Sequence, residues 1–173
     1  VPIFFDLILH IGTLSGLLGF YRTDLSMIFR SIFYPRSMSL QDVKNYRNLL
    51  MLIIIGTIPT AVIAFALKSL FEFSFYDFFL LSVGFLISGI FIFITKFFNK
   101  GSRDINRLDA FLIGIAQGFS VFSSISRSGI TISLGMMRQI NHSQLVKFSF
   151  LLSIPAIIGG SVFDFLLMDD LHM

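Results

Sequence analysis

The run Gln117-Gly118-Phe119-Ser120-Val121-Phe122-Ser123-Ser124-Ile125-Ser126-Arg127-Ser128-Gly129-Ile130-Thr131 decides the fold. It places a permanent cation, at least four hydroxyls and a glycine hinge between two short apolar stretches. From Ala110 to Phe122 about 13 residues are mostly apolar, roughly 20 Å of helix, whereas a bilayer crossing needs about 30 Å. The second stretch, Ile130 to Met137, is shorter still. Two half-length helices joined by a Ser/Gly/Arg turn predict a re-entrant helical hairpin over about residues 110–138. Lipid tolerates the non-helical turn only where protein or a water-filled cavity surrounds it.

The rest of the chain supplies that surrounding. Of 173 residues, 55% are hydrophobic and only 13% charged, with Phe at 23 positions and a mean hydropathy of +0.86. A soluble domain of this size needs a far more polar surface, so the expected class is an all-α, polytopic integral membrane protein, read as one membrane domain over 1–173. Cysteine is absent, which excludes disulfides and thiolate metal sites. The chain opens inside a hydrophobic element at Val1-Pro2 without a signal-like basic segment, which predicts a fragment.

Outward from the hairpin, spans are expected at about Phe4–Tyr21, Leu49–Leu67 with Pro59 inside, Phe78–Phe98, and Leu145–Leu167 with Pro155 inside. The last carries a small-residue face of Ser149, Ser153, Ala156 and Gly160, suited to close helix packing. In the first, Asp6, His10 and Thr13 share a face at helical spacing. That stripe either hydrogen-bonds a neighbouring helix or lines a polar site. Residues 22–48 read as a polar connection holding Arg22, Arg30, Arg36, Lys44 and Arg47, and a second connection holds Lys96, Lys100, Arg103 and Arg107. The 68–77 turn has Lys68 against Glu72 and Asp77. The basic connections are therefore expected in the cytoplasm and the turn outside. They lack the clustering of a nucleic-acid site. The Phe run at 71–98 reads as lipid-facing bulk, and Asp164, Asp169 and Asp170 as a membrane boundary and exposed tail.

An internal comparison points to repetition. Offset by 143 positions, Phe5 to Leu14 resembles Phe148 to Ile157, with the breakers Gly12 and Pro155 coinciding. Inverted repeats with broken helices are a known membrane architecture, and in such an arrangement a first re-entrant half is expected upstream of Phe5.

The turn has the chemistry of an anion clamp. Arg127 keeps its proton, and its planar fork suits phosphate or carboxylate. Ser126, Ser128 and Thr131 add hydroxyl donors, Gly129 allows close backbone approach, and the helix that follows offers N–H groups at the positive end of its dipole. Such a group of donors stabilises charge on a transferring phosphoryl group but supplies no base. The alternative for Arg127 is a snorkelling cation. Gln117 either lines the site or hydrogen-bonds a neighbour. A nucleophilic Ser126 would need an adjacent base, and the closest His in sequence, His142, reads as solvated in a polar connection. No spacing of His, Asp or Glu resembles a metal site.

Ser126-Arg127-Ser128-Gly129-Ile130-Thr131-Ile132, with Phe148-Ser149-Phe150-Leu151-Leu152-Ser153-Ile154-Pro155-Ala156, resembles the second signature region of the undecaprenyl-diphosphate phosphatase (bacitracin-resistance) family. Phe5-Asp6, Leu9-His10-Ile11-Gly12-Thr13 and Ile55-Gly56-Thr57-Ile58-Pro59 are similar to its intermediate segments. Where the family has Pro-Gly before Ser-Arg-Ser-Gly, this chain has Ser123-Ser124. The resemblance implies Arg127 as phosphate ligand, Ser126 and Thr131 as supporting catalytic donors, and Ser128, Gly129 and Gln117 on the substrate side. Gln117 would mirror an acidic motif that the family carries, with a histidine, in a first signature expected upstream of Val1. His10 does not match that histidine, so the chain on its own is expected to be inactive.

The implied activity is hydrolysis of a C55 polyprenyl diphosphate to the monophosphate carrier used for peptidoglycan precursors. A lipid-carrier flippase or secondary transporter is the alternative. The resemblance also implies a divalent cation, Mg or Ca, for which the chain shows no ligands. Expected partners are the polyprenyl diphosphate and membrane lipids, with a homodimer left open and no nucleic acid. The expected location is the bacterial plasma membrane.

Overall fold

The computed structural model describes residues 3–67, 78–99, 101–120 and 124–170, with side chains over 8–67, 78–99, 101–120 and 124–161. The expected 68–77 turn, Lys100, Ser123, the side chain of Asp6 and those of Asp164, Asp169 and Asp170 lie outside these. Among the described residues seven α-helices follow in order: α1 Ile3–Phe20, α2 Arg22–Phe33, α3 Leu40–Ala66, α4 Phe78–Thr95, α5 Arg107–Phe119, α6 Arg127–Met137 and α7 His142–Asp170. One 3-10 turn, Pro35–Ser37, precedes α3. Among the described residues there is no strand, only two isolated bridges. The protein is all-α. Over their described residues α3, α4 and α7 are each long and apolar enough to cross a membrane, and their large side chains are widely exposed, among them Phe65, Phe78, Phe79, Phe85 and Phe93. Water would not tolerate such a surface, and lipid solvates it. This is a membrane protein.

The described residues form two compact units. The first gathers α1, α2, α3 as far as Met51 and α7 from Leu151. Here the structure corrects the reading of 22–48 as a plain connection, since most of it is helical. Leu25, Ile28, Phe29, Ile32 and Phe33 recur at helical spacing, and the charges between them obscured that period. Ile28 and Ser31 are buried, whereas Phe29, Ile32 and Phe33 are exposed. Arg47 Nε donates to the Ser31 carbonyl at 2.9 Å, tying the start of α3 to α2.

The second unit runs from Leu52 to Phe150 and holds the hairpin. Helices α5 and α6 pack against each other, and α6 also packs against α4. Between α3 and α5 the backbones touch. A Cβ on Gly114 would overlap the Gly56 carbonyl oxygen, and the buried Thr60 hydroxyl lies 2.8 Å from both the Gly56 and Gly114 carbonyls. Small residues permit this approach where no hydrophobic effect drives helices together. Gly114→Ala sets a methyl against backbone that cannot rotate away, so it is expected to cost about 1–3 kcal/mol. Thermal unfolding in detergent checks this, with Thr60→Val as a control that removes the hydroxyl without adding volume.

Candidate functional site

The hairpin is closed at its base and seated at its turn. At the base, Asn106 caps α5 in a reciprocal box: its Oδ1 accepts from Asp109 N–H at 2.8 Å, and Asp109 Oδ2 accepts from Asn106 N–H at 2.9 Å. Asp109 is completely buried. Arg103 grips it with both terminal nitrogens, at 2.7 and 3.0 Å, and Arg138, at the end of α6, donates Nε to Oδ1 at 2.5 Å. Arg103 also donates to the Arg138 carbonyl at 3.0 Å. Parallel bridges Gly101–Asn141 and Arg103–Ile140 join the two strands of chain that enter and leave the hairpin. Burial pushes the Asp109 carboxyl up, but the bonds from Arg103, from the Asn106 N–H and from Arg138 together outweigh it and hold the group at about 2. The basic connection read from sequence thus contains a structural clasp. Its readable signal was Asn-x-x-Asp immediately before an apolar run.

At the turn, Ser126 is the N-cap of α6, and its Oγ accepts from Gly129 N–H at 3.2 Å. This consumes one of the helix-end donors that the sequence assigned to an anion. Two remain: the N–H groups of Arg127 and Ser128 have no partner among the described residues. The Arg127 guanidinium, half-buried, has neither ion pair nor hydrogen bond among them. Ser128 is exposed beside it. Gly129 is helical, with no positive φ. Its missing side chain has a packing reason, since a Cβ would lie 2.8 Å from Ser126 Oγ and 3.1 Å from Ile92.

Thr131 is placed differently from a ligand. It is fully buried, donates to the Arg127 carbonyl at 2.9 Å and lies 2.5 Å from Ser149 Oγ on α7. It therefore holds the Arg127 backbone and joins α6 to α7. Gln117 is buried near the end of α5. His142 is exposed as the first residue of α7, and Thr13 is exposed with its hydroxyl turned to the Leu9 carbonyl.

The chain matches the family described as bacitracin resistance protein BacA over residues 2–173. It belongs to that family. Similar proteins include the undecaprenyl-diphosphatase of Carboxydothermus hydrogenoformans, 37% identical over 163 residues, covering 92% of this chain and 58% of that protein. That of Alkaliphilus metalliredigens is 35% identical over 170 residues, covering 94% and 62%. The chain spans about three-fifths of the length of these relatives. In this member of the BacA family, no three His, Asp or Glu side chains among the described residues are grouped to hold a metal, and Asp109 is occupied by two arginines. The side chains among the described residues therefore do not form a divalent-cation site.

Proposed function

We propose that this protein is an undecaprenyl-diphosphate phosphatase of the bacterial plasma membrane, with the α5–α6 turn binding the diphosphate head as part of an inverted-repeat architecture. The observation that carries the reading is the Arg127 guanidinium, held half-buried and, among the described residues, without a counter-charge, beside two helix N–H groups that have no partner among those residues. The names of the relatives support it. In the reaction, water oxygen bonds to the terminal phosphorus while the bond from that phosphorus to the bridging oxygen breaks. The electron pair stays on the bridging oxygen of the lipid monophosphate.

As charge grows on the equatorial and bridging oxygens, Arg127, its N–H, the Ser128 N–H and the Ser128 hydroxyl stabilise it without reorganising. Ser126 and Thr131 position that set through the N-cap and the Arg127 carbonyl. The proton released by water goes to an acceptor that these hydroxyls and this cation do not provide. The prenyl tail remains in lipid against exposed aromatic surface such as that of α4.

The test is inorganic phosphate release from undecaprenyl diphosphate by the complete protein, purified and reconstituted in vesicles. Turnover supports the reading. Movement of intact diphosphate between leaflets without phosphate release would replace it with transport.

A further inference from the structure

Helix α4, read from sequence as lipid-facing bulk, contains one buried polar side chain, Ser88, which is 5% exposed. It faces the site. The Ser126 N–H donates to Ser88 Oγ at 2.9 Å, and the Ser88 hydroxyl donates to the Gly84 carbonyl at 3.0 Å, which orients its lone pairs toward the turn. One helical turn on either side, the same ridge continues. A Cβ on Gly84 would overlap Ser124 Oγ, and Ile92 Cδ1 lies 3.1 Å from where a Cβ on Gly129 would stand. Positions 84, 88 and 92 are spaced i, i+4, i+8 and so share one face of α4. They meet residues 124, 126 and 129 in the same order.

From this we infer that the Gly84–Ser88–Ile92 ridge is the seat of the phosphate-binding turn and that Ser88 is a positioning residue for Arg127, an inference that rests on the function proposed above. The physical reason lies in where helix-end donors go. Ser126 must hold a non-helical backbone to cap α6, so its own N–H falls outside the helical ladder and needs an acceptor. Within the protein the acceptor it finds is the buried Ser88 hydroxyl oxygen. Ser88 accepts that N–H and so fixes the peptide immediately before Arg127, together with the direction of the two unpartnered N–H groups. Gly84 sets the depth of the turn because only a residue without a side chain admits Ser124 there.

A shift on the order of 1 Å in such donors is enough to lower kcat strongly while ground-state binding of the large prenyl tail persists. Ser88→Ala in the complete protein is therefore expected to reduce kcat about tenfold with KM little changed. Gly84→Ala, which presses on Ser124 instead of removing an acceptor, is expected to act in the same direction. The decisive readout is a double-mutant cycle with Arg127→Lys. If Ser88 acts by aiming Arg127, Ser88→Ala costs markedly less in the Arg127→Lys background, whereas a general packing role costs the same in both. Equal cost, or wild-type kcat in Ser88→Ala while Arg127→Ala is inactive, overturns the seat and leaves the phosphate site standing. Full activity in Arg127→Ala instead overturns the underlying reading, and the seat with it.

Discussion

Arg127→Ala in the complete, lipid-reconstituted protein is expected to lower phosphate release by about 10³-fold, the loss seen when a principal donor to a transferring phosphoryl group is removed. Its thermal midpoint should hardly move. The guanidinium has no counter-ion or hydrogen bond among the described residues, so truncating it breaks no internal bond. An arginine that merely packed or anchored a helix end would show the opposite pattern, with altered stability and intact turnover. Arg127→Lys keeps the charge but not the fork, and is expected to recover only part of the activity. Phosphate release and thermal unfolding measured on one preparation separate these cases, and Arg127→Ala retaining activity within about threefold of wild type would remove the turn from the mechanism.

The largest effect on stability is expected at Asp109. Its carboxylate is fully buried and accepts from Arg103, Arg138 and the Asn106 N–H. Asp109→Asn leaves two guanidinium groups facing a neutral amide and should cost about 3 kcal/mol, the low end for a broken buried pair because both arginines are partly exposed. The pH dependence has a definite sign. With the folded carboxyl at about 2 against an ordinary 3.8, the clasp's full contribution is present above pH 3.8 and is lost as pH falls from there through 2. The linkage is worth about 2 kcal/mol. Denaturation followed between pH 6 and pH 2 should show the wild-type advantage over Asp109→Asn shrinking only at the acid end of that range. A gap that stays constant with pH would mean that the carboxylate's charge is not what closes the hairpin.

These two residues also show how much of the site is legible in the amino-acid sequence. Arg127 stood out because a cation among hydroxyls interrupts two apolar runs too short to span, and apolar length is a strong signal in a protein solvated by lipid. The long spans and the two half-helices were legible for the same reason. Asp109 did not stand out, because one acid among basic residues has the same composition whether it is solvated or gripped by two arginines. Ser88 was hidden in the reverse manner. Within a Phe-rich helix that also carries Ser82, Ser88 is unremarkable until the partner that donates to it, 38 positions away, is known. Thr131 was legible as part of a motif, but its bond to Ser149 depends on how α6 meets α7. Local pattern shows where helices begin and break. It does not show which lone pair each stray N–H finds.

The contact of Gly56 with Gly114 has a practical corollary. Its cohesion comes from backbone surfaces in van der Waals reach and a hydroxyl shared by two carbonyls, neither of which depends on what solvates the outer faces of the helices. Exchanging native lipid for a micelle changes the medium around this crossing and leaves its internal terms alone. Extraction should therefore loosen the Phe-covered periphery first and this joint last, so an intact joint in a solubilised sample shows that the helix crossing has survived and leaves the state of the outer faces to be measured separately.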